Sequence, residues 1–422
     1  MHSYALDGTP YSMAYDATRK QIYIAVTGHI DVISLASQAF LSTIQVPTLN
    51  EVTQLGGVAI TPDGKWLMAG NWLDGSAALI NPDTPSSAVA IVVGSPPNAW
   101  GQGPNQLAAT NNGQVFVAAG GEPASISWAA MKNGTAVTRR QVRTIPADSN
   151  GPEPSVWLLD LQSKTAASFS PLLVSPESPY LAASPDGSQV CFSGLYIALS
   201  LYNSTTGAMT SGPGLQGPES CGANASVAAG SGNSGSSGSG GLAPAFNLAM
   251  QEVSTASLLD YQTGELATDL QIVHGIAIDS TGALVYLPLV NHIALFDSHT
   301  GEFREDIVLP SPSQDIFNGS ILVNETGDQV FVVTGNGLTV IQMDTLPLAV
   351  GSIATSGGAW TIAGTGFVSG TAITVDGSPV SVQFTDSQHL QVSSPPDVSS
   401  MHTLTLINPD GHTYTYDAAY LR

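Results

Sequence analysis

Residues 57–70 read GVAITPDGKWLMAG: a short apolar run, a polar turn closed by glycine, and a second apolar run. Short β-branched runs bounded by Asp-Gly predict two antiparallel strands joined by a hairpin. The turn glycine has a local reason, because a tight hairpin needs positive φ and glycine supplies it without steric cost. The pattern recurs as QLAATNNGQVFVAAG (106–120), YLAASPDGSQVCFSG (180–194), GIAIDSTGALVYLPL (275–289) and SILVNETGDQVFVVTG (320–335). A degenerate copy, SMAYDATRKQIYIAV, occupies residues 12–26.

The turn glycines stand at 64, 113, 187, 282 and 327, at intervals of 49, 74, 95 and 45 residues. A period of about 47 makes the longest interval two units, one without the landmark, and the 74-residue interval one unit plus an insertion. A second landmark, a later strand ending in an Asp-rich or Thr-Gly turn, checks the count. It occurs seven times, as VISLAS, ALINPDT, WLLDLQSKT, LSLYNSTTG, SLLDYQTGE, ALFDSHTGE and VIQMDT. The unit lacking the first landmark contains GSGNSGSSGSGG (230–241). With SVAAG before it and PAFNLAM after it as the first two strands of repeat five, this Ser-Gly run is expected to be an enlarged hairpin loop, not an interdomain tether. Seven units of about 45 residues, each of four short strands, predict a closed β-propeller in which stacked neighbours build the core.

The TPDG (61–64) and SPDG (184–187) turns resemble those of the YVTN-type seven-bladed propellers over roughly residues 10–346. After Met343 the pattern changes. WTIAGTGFVSGTAITVDGSPVSVQFTDSQHLQVSSPP (360–396) and HTLTLINPDG (402–411) resemble an IPT/TIG domain, an immunoglobulin-like sandwich. The resemblance rests on Gly364, Gly366, Phe367, Gly370-Thr371, Asp376-Gly377 and Asn408-Pro409-Asp410-Gly411; the lead-in GSIATSGG (351–358) lacks the family's usual proline. The expected fold class is therefore all-β: a seven-bladed propeller over residues 1–346 and an immunoglobulin-like sandwich over 347–422. The sandwich is expected to fold independently around Phe367 and Phe384, and HSYALDG (2–8) to complete the last blade. In extracellular proteins such sandwiches resemble spacers and adhesion modules.

Composition narrows the function. Ten Lys and Arg against 32 Asp and Glu give a formal charge of −22, which repels phosphate backbones and anionic membranes. No nucleic acid is expected as a partner. No apolar run approaches the roughly 18–20 residues of a membrane helix, so no membrane insertion is expected either. Charged residues are only 10% of the chain, a composition common in secreted bacterial β-proteins. The N-terminus MHSYALDGTP has no basic and then apolar stretch, so the expectation is a secreted or cell-surface protein in mature or trimmed form. Cys191 and Cys221 permit one disulfide or two buried thiols.

Chemistry is less legible. The eight histidines show no HExxH spacing, and there is no calcium loop, Walker loop or dinucleotide fingerprint; no metal and no cofactor are expected. Propellers place ligands at one end of the channel, on the loops entering each inner strand and those joining second and third strands. That geometry nominates Asn105, Tyr180 and Asn318 for binding and His274 as the catalytic candidate, or alternatively as a hydrogen-bonded structural residue. Residues 122–155 form the insertion, with Trp128 and with Lys132, Arg139, Arg140 and Arg143, and Trp100 lies just upstream. As a second-to-third-strand loop it would overhang the channel mouth. Guanidinium forks and an indole there suit an acidic glycan or an acidic protein ligand, unless the arginines pair with Glu122, Asp148 and Glu153. The leading expectation is a binding or scaffold protein. The alternatives are a propeller enzyme (lyase, lactonase or hydrolase) acting on a carbohydrate or lactone, and a structural subunit of a surface layer or filament.

Overall fold

A computed structural model describes residues 1–48, 55–71, 75–93, 106–118, 126–132, 135–143, 156–169, 180–193, 198–214, 218–221, 227–233, 240–242, 246–247, 251–252, 277–288, 292–300, 302–309, 321–334, 337–393 and 402–417. Among them the regular structure is all strand apart from one 3-10 turn at Pro85–Ser87. The strands form seven sheets in chain order, then a sandwich.

Sheet one sets the type: Pro10–Asp16, Gln21–Val26, His29–Ser34 and Ala39–Gln45 pair antiparallel in sequence order. Burial follows from position. The second and third strands are covered on both faces by neighbouring sheets, so IYIAV and IDVIS are buried without alternation, whereas the outer strand Ala39–Gln45 is largely exposed. Sheets three, four and six repeat the four-stranded pattern, and sheet two contains it. The first strands pack in a cycle: Pro10–Asp16 on Leu55–Ile60, then Gln106–Ala109, Tyr180–Ala183, Pro218–Cys221, Ala277–Ile278, Ile321–Val323, and back to Pro10–Asp16. This is a propeller-like arrangement.

Six sheets are regular blades. The fifth is irregular, with Pro218–Cys221, Val227–Asn233, Phe246–Asn247 and Gln251–Glu252 in order and Gly240–Leu242 also paired to Val227–Asn233. The described ends of the Ser-Gly run pair antiparallel, Ser231 with Leu242 and Asn233 with Gly240. The run joins the second and third strands, however, not the first and second, because PESC (218–221) supplies the first strand. Such a polar four-residue stretch carries too few apolar residues to be read as a strand. The second landmark of this repeat, residues 257–265, lies outside the described residues.

The last blade is closed by the N-terminus, as expected. His2–Tyr4 pairs with Gly337–Gln342 to become the fourth strand beside Gln329–Thr334 and Ile321–Val323. Ser3 and Thr339 add a hydroxyl pair at 3.0 Å. Gly337, at φ 99°, lies so close to the Tyr4 carbonyl that a Cβ would overlap it. Cys191 and Cys221 form a disulfide from the second strand of sheet four to the first strand of sheet five. Its 30-residue separation predicts about 3–4 kcal/mol of stabilisation through the unfolded chain. Replacing both cysteines by alanine should therefore lower the unfolding free energy by about 3 kcal/mol, measured by urea denaturation, with reductant no longer having any effect.

The C-terminal sandwich is a seven-stranded, nearly closed sheet ordered Ala349–Ser356, Ala359–Thr365, His389–Ser393, Ser378–Asp386, Ala372–Val375, Thr403–Ile407 and Thr413–Asp417. Trp360, Phe367, Leu390, Leu404 and Leu406 fill its core. Phe384 does not join them. It stands at a break in strand pairing before Asp386 and is 37% exposed.

The sandwich was expected to have a core of its own, but it packs against the ring. Its core is continuous with that of sheets six and seven, where Leu284, Tyr286, Leu295 and Val332 belong to the same cluster as Trp360 and Tyr414. Gly351 packs against the Thr281 carbonyl with no room for a Cβ, and Gln388 Nε2 donates to Ser280 Oγ (3.0 Å) and the Glu325 carbonyl (3.1 Å). Arg304 lies 4.9 Å from the Tyr414 ring centroid while its Nη2 contacts Asp297 Oδ2 at 3.0 Å. An added isopropyl group cannot be accommodated at such an interface without displacement. Gly351→Val should lower the calorimetric unfolding temperature of the propeller as well as the sandwich, by an amount equivalent to about 1–3 kcal/mol. An unchanged propeller transition would mean that the shared core is energetically unimportant.

Candidate functional site

Most channel-mouth candidates cannot be placed together. Trp100, Asn105, His274 and Asn318 lie outside the described residues. Tyr180 begins the first strand of sheet four, opposite Ser193. The insertion takes a different position from the expected one. Its strands Ile126–Lys132 and Thr135–Arg143 form a hairpin that pairs with Val89–Val92, extending sheet two to six strands at its outer edge. It leaves sheet three between the second and third strands, as expected, but its strands pair with the edge of the neighbouring sheet. The physical reason is that an outermost strand offers unpaired backbone groups, and a nearby hairpin of β-forming residues satisfies them. Within the hairpin Trp128 stands opposite Arg139 and Ile126 opposite Arg143, and Thr135–Arg143, which includes Arg140, ends the sheet.

At the other end of the ring the first-to-second-strand turns form a laced surface. Each turn is built the same way: a side chain at its first position bonds back onto the turn. Thr61 Oγ1 donates to Asp63 Oδ1 (2.7 Å), Thr110 Oγ1 to Asn112 Oδ1 (2.6 Å) and Ser184 Oγ to Asp186 Oδ1 (2.6 Å). This is the local chemistry that makes Ser, Thr, Asn and Asp turn residues. Neighbouring turns are then tied together. Arg19 Nη1 donates to the Gly64 carbonyl (2.7 Å) and pairs with Asp16, while Nη2 reaches Asp83 (2.8 Å). Asn111 N–H donates to the Gly187 carbonyl (3.0 Å), and Ser280 Oγ to the Glu325 carbonyl (2.7 Å). Across the ring closure, Lys20 pairs with Glu325, and Tyr15 donates to the same carboxylate at 2.8 Å. Burial and that bond push the Tyr15 hydroxyl up to about 12.

Between sheets two and three this end opens into a cleft of about 590 Å³. Its walls are the turn Thr61–Trp66, the turn Thr110–Gln114 and the third-to-fourth-strand turn around Leu158–Gln162. Half-buried Trp66 packs with Leu107 against a core cluster that contains Trp157, Leu159 and Leu161. Lys65 Nζ lies 2.7 Å from Asp63 Oδ2. Burial works to raise the Asp63 carboxyl, but bonds from Lys65 and Thr61 outweigh it and hold the group below its ordinary value. Bonds from Ser163 and the Gln162 backbone lower the Asp160 carboxyl likewise. Asn112 Nδ2 donates to the Ser204 carbonyl (2.7 Å), and Tyr202 OH to Gln114 Oε1 (2.6 Å), which fixes the far wall. Sequence reasoning passed over this cleft. Its signal was the Lys-Trp after Gly64, where the other turns carry Gln-Val, Ser-Gln, Ala-Leu or Asp-Gln. Among the described residues no group of three or more His, Cys, Asp or Glu gathers as for a metal, and no helix is long and apolar enough to cross a membrane.

Residues 345–420 match the IPT/TIG domain family. No curated protein matches the sequence. Solved structures of similar shape include a chain of the mitotic checkpoint complex, with 10% identity, TM-score 0.47, and 81% of this chain and 91% of that one covered. The β-propeller domain of Myceliophteria thermophila Cps50 (Swd1) gives 8% identity, TM-score 0.46, and coverage of 81% and 98%. A gluconolactonase from Xanthomonas campestris gives 12% identity, TM-score 0.42, and coverage of 81% and 88%. At these scores the likenesses carry no functional argument.

Glu325 offers a pH test of the lacing. Burial acts to raise its carboxyl, but bonds from Lys20, its own backbone N–H and Tyr15 prevail and hold it below its ordinary 4.5. A carboxyl with a depressed folded pKa adds stability above its unfolded pKa and loses it as pH falls through the folded value. The parent should therefore exceed Glu325→Gln in stability at neutral pH, and the difference should shrink below pH 4.5 in urea unfolding at stepped pH. A margin independent of pH would show that the charge of Glu325 does not stabilise the closure.

Proposed function

We propose that the protein is a secreted or cell-surface binding scaffold: a seven-bladed propeller of the YVTN type over residues 1–346, carrying the immunoglobulin-like domain of residues 347–422 as a docking or spacer module. The closed cycle of seven first strands supports counting the irregular fifth sheet as a blade. The Cys191–Cys221 disulfide supports an oxidising compartment, where such bonds persist. The observation that carries the binding role is the hairpin that ends sheet two. It brings Trp128 opposite Arg139 and sets Arg140 and Arg143 on the terminal strand, three of the ten basic residues in a chain of net charge −22. An acidic glycan or an acidic peptide is the ligand class this composition favours, since guanidinium forks hold carboxylates by two hydrogen bonds and an indole covers an apolar face.

The test compares the parent protein with Arg139→Ala/Arg140→Ala/Arg143→Ala on arrays of uronic-acid oligosaccharides and of Asp/Glu-rich peptides. Loss of about tenfold or more in affinity for an acidic ligand is expected, together with weakening in salt. A ligand bound equally well by the triple variant would place the binding site elsewhere.

A further inference from the structure

The cleft between sheets two and three has a different chemistry from that hairpin. We propose that it binds a short neutral oligosaccharide, with Trp66 as the stacking platform and Asp160 as a hydroxyl acceptor.

Four observations lead there. The volume, about 590 Å³, is within the roughly 300–1,000 Å³ usual for small-ligand sites. Trp66 is held from behind by the core cluster, which leaves it half-buried in the cleft wall as a pre-set aromatic surface. The rest of the lining is rich in side-chain carboxylates and amides, groups that pair with sugar hydroxyls. Charge then selects among sugars: Lys65 is engaged by Asp63, and with Asp160 the lining carries more negative than positive charge, so a polyanion is repelled while a neutral polyol is not.

The site is also built in advance. Thr61 anchors Asp63, Asn112 is fixed by Thr110 and the Ser204 carbonyl, and the Gln162 N–H (2.8 Å) and Ser163 N–H (3.2 Å) both donate to Asp160 Oδ1. Little ordering cost is left for a ligand to meet. The sandwich docks on the turns of sheets six and seven at this same end of the ring, through Ser280, Thr281 and Glu325. No sandwich residue is among those lining the cleft.

The experiment titrates the full chain with cello-, xylo-, manno- and malto-oligosaccharides of three to six sugars, read by calorimetry and tryptophan fluorescence. One series should bind, Trp66→Ala should weaken it about tenfold or more, and Asp160→Asn should weaken it while circular dichroism shows the fold retained. The triple arginine variant should bind that sugar as the parent does, which separates this site from the acidic-ligand proposal. Absence of binding by every series, equal binding by Trp66→Ala and Asp160→Asn, or tighter binding of an acidic oligosaccharide in the same cleft would overturn the inference.

Discussion

A four-stranded sheet with two apolar faces cannot exist alone in water, and everything in this protein follows from how that constraint is met. Strands such as Leu67–Asn71 and Ser76–Ile80 are buried throughout, so each sheet needs a neighbour on both sides. An open row of sheets would leave its first and last members uncovered. Only a closed ring satisfies every one, and closure here depends on three residues, His2–Tyr4, pairing with a strand more than three hundred residues away. The Gly337 site is shaped to that contact, because the Tyr4 carbonyl occupies the space a side chain would need.

Closure is reinforced where polar groups can reach across sheets. Tyr15 and Lys20 hold Glu325 over the seam, Arg19 ties sheet one to sheet two, and the disulfide joins sheets four and five. The sandwich belongs to this same scheme. Its Trp360 and Tyr414 share a cluster with Leu284 and Val332, and Gln388 bonds to sheets six and seven together. What looks in sequence like an appended module shares a buried cluster with sheets six and seven. One end of the ring is covered in part by the sandwich, and a cleft lies between sheets two and three.

Much of the fold was legible because its signals are local. A hairpin turn is specified by a Gly at positive φ and a side chain that caps its own backbone, so TPDG and SPDG announce it wherever they occur. The blade-closing role of the N-terminal segment and the IPT/TIG domain were equally readable, one from the need to remove sheet edges and the other from its glycine and Asn-Pro-Asp-Gly turns. Repeat five was misread for the converse reason. PESC has no strand signal of its own and becomes a first strand because its neighbours and the disulfide hold it in line.

The amino-acid sequence by itself determined the all-β class, the repeat and the turn chemistry, since each rests on residues within a few positions of one another. Tertiary structure alone decided where the insertion went. Nothing in ISWAAMK or TAVTRRQVR says which sheet it will extend, and the choice fell to the exposed edge of Val89–Val92. The same holds for the cleft, whose walls come from turns about fifty residues apart in the chain. The sandwich's dock was likewise beyond sequence reading, because Gly351 and Gln388 acquire their meaning only from the backbone of Thr281 and Glu325. Side-chain patterns encode the faces of strands; which faces meet is settled by the geometry of the closed ring.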